Sequence, residues 1–111
     1  MIQSDYRIEQ LKDEKNQILQ DIKKQIDLTL NSIIDLKVEI GNHKKIIELA
    51  GETLENASVQ YQAGQGSIID VLDAQTILTE ANIAYGKSTI SYLQTLAMLH
   101  YLTGNDNYPF N

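Results

Sequence analysis

The sequence predicts an all-α fold, a long antiparallel coiled-coil helical hairpin, on three observations. Between Asp5 and Gln62 there is no proline, and only Gly41 and Gly51 interrupt good helix formers. Apolar residues recur at alternating steps of three and four on both sides of one short break. The break itself, Ala63-Gly64-Gln65-Gly66, is the kind of segment that turns a chain. The 111 residues read as a single hairpin: a helix over about 5–62, a turn at 63–66, a helix over about 67–103 and a tail at 104–111.

The first helix carries the longer seam. Steps of three and four from Leu19 reach Ile22, Ile26, Thr29, Ile33, Leu36, Ile40, His43, Ile47, Ala50, Leu54, Ala57 and Tyr61. Only Thr29 and His43 in that series are not apolar, and a register held so long is the mark of a coiled coil. Before Leu19 the phase slips, because Ile8, Leu11 and Ile18 do not continue it. A second stripe of Leu30, Ile34 and Val38 predicts neighbours on two sides, as in a bundle or a ring of helices. The charges of this helix are of mixed sign and read as a solvated face, with Lys44 and Glu48 at attractive i, i+4 spacing.

Ser67-Ile68-Ile69-Asp70 opens the second helix as a capping box, with Ser67 as N-cap and Asp70 as the acid three residues on. Gly104 closes it, and Asn105-Asp106-Asn107-Tyr108-Pro109 does not continue it. The seam is Val71, Ala74, Leu78, Ala81, Tyr85, Ser88, Tyr92, Thr95, Leu99 and Leu102, with small and large residues alternating from Ala74 to Tyr92. A second face carries Ile69, Leu72, Ile83, Ile90, Leu93 and Ala97. Asp73, Glu80, Lys87 and Gln94 repeat every seven residues and mark the wet side. At ~55 Å this helix leaves roughly 30 Å of its ~85 Å partner uncovered. Ile8, Leu11, Ile18 and Leu19 fall in that overhang and call for another chain or another part of the parent. So small a core also favours oligomerisation, and a dimeric four-helix bundle is one assembly open to the hairpin taken out of its parent.

Composition narrows the function. A net charge of −6 and a pI near 4.7 argue against nucleic acid as partner. The absence of cysteine removes disulfides and thiolate metal sites. No apolar run approaches ~18 residues, so no membrane-spanning helix is expected. No apolar segment follows Met1 either, so no signal peptide is expected, and the chain reads as an excised or truncated piece of a larger protein.

No constellation suggests catalysis. Asp70 and Asp73 are one turn apart, but no third ligand or base accompanies them, and capping and dipole complementarity account for their place. His43 sits alone on the seam, and His100 is far along the chain. Ser67 has no histidine or lysine at motif spacing and is read as a cap. Gly64-Gln65-Gly66 lacks the lysine of a phosphate loop; its two glycines are expected to supply positive φ angles to the turn. The expectation is a non-enzyme with no metal and no cofactor.

The string Tyr61-x-x-Gly64-x-x-Ser67-x-x-Asp70-Val71-Leu72-Asp73-Ala74-Gln75, followed by Leu78, Ala81, Tyr85, Tyr92, Leu96, Ala97, Leu99 and Gly104, closely resembles the C-terminal repeat of the TolC-like outer-membrane efflux proteins. The sharp part of the likeness runs from about Glu48 to Gly104; earlier residues match only in periodicity. The resemblance implies a homotrimeric channel with a periplasmic α-helical barrel, located in the outer membrane of a Gram-negative cell and serving multidrug export or type I secretion. This hairpin would be a fragment of that barrel and a passive conduit at its periplasmic entrance. Gly64, Gln65, Gly66 and Ser67 would form the tip that docks a periplasmic adaptor protein, and through it an inner-membrane pump. Asp70 and Asp73 would contribute to an acidic ring in the lumen, and Tyr61 to closure of the tip. Some members carry a basic latch where Gly66 stands, and Gly66 lacks that function. Two other readings of the hairpin are a generic coiled-coil oligomerisation module and an adaptor-type hairpin.

Overall fold

A computed structural model of the chain describes residues 2–104. Of the expected tail, only Gly104 falls among them; residues 105–111 lie outside the described residues. Two helices account for the fold: α1, Ile2–Gln62, and α2, Ile68–Leu102. The chain is an all-helical hairpin. α1 starts three residues earlier than the periodicity indicated, because nothing in Ile2-Gln3-Ser4 breaks a helix. α2 starts one residue later, because Ser67 is its cap and not its first turn.

The chain divides into two units, one spanning Ile34–Gln94 and the other combining the residues up to Ile33 with those from Thr95 onward. In the first unit the turn brings the end of α1 against the start of α2. The seams expected from spacing are the sides that meet. Leu36, Ile40, His43, Ile47, Leu54 and Ala57 of α1 are half-buried, as are Val71, Leu78, Tyr85 and Tyr92 of α2. The fully buried positions are small: Ala50, Ala74, Ala81 and Ser88. Small residues at every second seam position let the helices approach closely, and the larger residues between them cover the joint from its edges. No large side chain among the described residues is completely enclosed.

In the second unit Ile33 is buried, and Ile26, Thr29, Thr95, Leu96, Leu99 and Leu102 are half-buried. Every residue from Gln3 to Gln25 is exposed. That includes Ile8, Leu11 and Ile18, as the overhang required. It includes Leu19 of the same overhang, at 54%, and it reaches Ile22, at 36%, although Ile22 holds the seam register. The seam is a property of α1 alone, whereas burial needs a partner, and α2 ends at Leu102.

Each helix keeps an uncovered apolar face. Leu30, Ile34 and Val38 are exposed on α1. On α2 the second stripe of Ile69, Leu72, Ile83, Ile90 and Leu93 is exposed throughout. At about 100° per residue this stripe lies roughly 150° around α2 from the seam that meets α1. Thr76 and Thr79 fall within it, and their hydroxyls donate back to the carbonyls of Leu72 (3.0 Å) and Gln75 (2.9 Å). With the hydroxyls so satisfied, these threonines add little polarity to the stripe.

Candidate functional site at the hairpin tip

The tip is closed by main-chain hydrogen bonds. Gln65 N–H donates to the carbonyl of Gln60 at 2.8 Å, and Gly64 N–H to the carbonyl of Tyr61 at 3.0 Å. Gly64 has φ of +77°. This nested pair of bonds around a left-handed glycine is a Schellman ending, which satisfies carbonyls that the last helical turn leaves unpaired. Gly66 N–H then donates to the Gln60 carbonyl as well, at 3.1 Å.

The two glycines turn out to have different roles, which corrects the expectation that both supply positive φ. Gly66 is not in the left-handed region. At Gly66 the constraint is proximity: a Cβ there would lie 3.2 Å from Gln60 Cβ and 3.3 Å from the Tyr61 nitrogen, tighter than ordinary contact, so the end of α1 would have to give by a few tenths of an ångström. The chain leaves the turn by passing back close to the end of α1, and glycine makes that approach without displacing it.

Ser67 begins α2 as its N-cap. Its Oγ accepts from Ile69 N–H at 3.0 Å. The reciprocal half of the expected capping box is missing: Ser67 N–H does not donate to the Asp70 carboxylate. Aspartate is one methylene shorter than the glutamate usual at this position, which limits its reach back. Asp70 and Asp73 are therefore exposed carboxylates in the first two turns of α2, on neighbouring sides of the helix and near the positive end of its dipole. Tyr61 is 46% exposed at the end of α1. The tip thus brings Tyr61, Gly64, Gln65, Gly66, Ser67, Asp70 and Asp73 into one continuous stretch of surface. It gathers no group of three or more metal-ligating side chains among the described residues.

Two features of the same unit were not anticipated from sequence. One is a polar node in the seam. Glu39 Oε1 accepts from Ser88 Oγ at 3.2 Å, and His43 Nε2 lies 3.4 Å from the same oxygen. The carboxylate joins serine and histidine from between them, so no imidazole is placed to take a proton from the hydroxyl, as a nucleophilic serine would need. The i, i+4 spacing of Glu39 and His43 was the available signal. The ion pair expected of Lys44 and Glu48 does not form; both are exposed, and holding two long side chains together in water gains little. The other feature is an open apolar groove of about 220 Å³ lined by Ile46, Leu49, Ala50, Thr53, Ala74 and Ile77. It forms where Ala50 and Ala74 meet, because two methyl groups fill less of the joint than the isoleucines and leucine around them.

No helix among the described residues is long and apolar enough to cross a membrane. No family model matches the chain, and no curated protein or solved structure matches it either.

Proposed function

We propose that the chain is an entrance hairpin of a periplasmic helical barrel, part of a trimeric outer-membrane export channel that docks an adaptor protein at its tip. The observation that carries the reading is the uncovered apolar stripe of α2, on the side away from α1. A helix in a closed ring needs a neighbour on each side, and α2 has the surface for two. The string from Tyr61 to Gln75, with its resemblance to efflux proteins, supports the same reading. In such a ring the tip surface of Gly64, Gln65, Gly66 and Ser67 meets the adaptor. The groove between Ile46 and Ile77 offers a seat for a large apolar side chain from an adaptor helix. Asp70 and Asp73, repeated by symmetry, set a field that favours cations over anions. The hairpin performs no chemistry.

The test is ion selectivity of the full channel in planar bilayers. Asp70→Asn with Asp73→Asn is expected to reduce the preference for cations. Unchanged selectivity would remove the two carboxylates from the lumen and the entrance assignment with them. A generic oligomerisation module is the second reading, favoured by the exposed Ile8, Leu11, Ile18 and Leu19 of α1, which need a coiled-coil partner but no channel.

A further inference from the structure

The α2 stripe has a feature that the channel reading does not use: it is complementary to itself. We infer that a second copy of this chain docks on it, antiparallel, about a two-fold axis passing beside Ala81. This axis sets Ile69 opposite Leu93 of the second copy, Leu72 opposite Ile90, Thr76 opposite Gly86 and Thr79 opposite Ile83, each layer occurring twice. The four outer layers match large apolar side chains that are now more than half exposed. The inner layers bring in Gly86, where the space a Cβ would enter is open. Thr76 and Thr79 enter with their hydroxyls already bonded to their own helix. α1 packs on the other side of α2 and leaves the approach clear.

Charge supports the same occupant. Asp73, Glu80 and Lys87 line one flank of the stripe, and none of them has an ion-pair partner within the described chain. The axis beside Ala81 brings Asp73 of each copy next to Lys87 of the other, giving two attractive pairs. Glu80 meets its own counterpart across the axis, one repulsive contact. A slide of one heptad replaces these with two Glu80–Lys87 pairs and removes the repulsion. It also sets Ile83 on Gly86, Leu72 on Ala97 and Thr76 on Leu93, so every layer of two large apolar residues is lost. Exposed ion pairs contribute far less than the burial of isoleucine and leucine, so apolar matching fixes the register. The inference concerns the chain by itself and does not depend on the channel reading; in a ring, a neighbouring helix would take the place of the second copy.

The experiment is sedimentation equilibrium of the full chain from about 1 μM to about 1 mM, a range that brackets ordinary dimer affinities. A dimer is expected. Ile90→Lys should leave it monomeric, with helical circular dichroism retained because Ile90 is exposed in the single chain; Leu72→Lys serves as a second variant of the same kind. Lys87→Glu should weaken the dimer about tenfold, and the double variant Asp73→Lys with Lys87→Glu should restore it. A chain that stays monomeric throughout, leaving the stripe to some other helix, overturns the inference. So does an oligomer indifferent to both Ile90→Lys and Leu72→Lys. Rescue of Lys87→Glu by Glu80→Lys in place of Asp73→Lys overturns the register.

Discussion

Gly64 and Gly66 are the same residue type two positions apart, held by different constraints. At Gly64 the backbone itself is left-handed, so any β-branched replacement is strained whatever the space around it. Gly64→Val is expected to cost about 1–2 kcal/mol in urea denaturation, with Gly64→Asn milder because asparagine tolerates that region better. At Gly66 the neighbouring atoms are the obstacle, and Gln60 is the side chain that would have to yield. Sequence alone marks both as turn glycines and does not separate a φ requirement from a packing requirement, since glycine answers both. Ser88 is similar. Its place among small seam residues was legible, but its bond to Glu39 joins residues 49 positions apart and depends on the exact helix pairing.

At the scale of the element, the seams were legible almost in full because an antiparallel hairpin repeats one constraint at every turn of both helices. From Ile26 to Ala57 and from Val71 to Leu102, the residues reached by steps of three and four are the ones that lose solvent. The extent of burial was not legible, since the covered length of α1 is set by where α2 stops. The start of α2 rests on Ser67, whose Oγ occupies one of the orphan amides of the first turn. With no return bond from Asp70, this is a single cap. Ser67→Ala is expected to lower stability by about 1 kcal/mol, read as a lower urea midpoint at constant slope. Asp70→Ala at the same site should cost less than Ser67→Ala, because only its dipole interaction is lost.

For the whole molecule, the small buried set means that stability comes from many partial contacts and few complete ones. Removal of residues 2–22 should therefore leave the thermal midpoint of the hairpin nearly unchanged, while the total helical signal falls with the lost turns, because among the described residues Gln3 to Ile22 are all exposed. A large drop in the midpoint would mean that the overhang has a partner in solution. If the chain pairs with a copy of itself, its midpoint should also rise with protein concentration, as mass action demands of any state that assembles only when folded.

The turn is built entirely from main-chain bonds, and the exposed side chain of Gln65 takes no part in it. That leaves one position at the extremity of the hairpin where a spin label can be attached to a chain with no cysteine of its own. Such a label would act as a ruler for architecture. In the antiparallel pair the two labels stand at opposite ends, roughly 50 Å apart at 1.5 Å per residue. In a ring whose hairpins all point the same way they gather at one rim, at shorter separations. One distance distribution from pulsed spectroscopy tells the two arrangements apart.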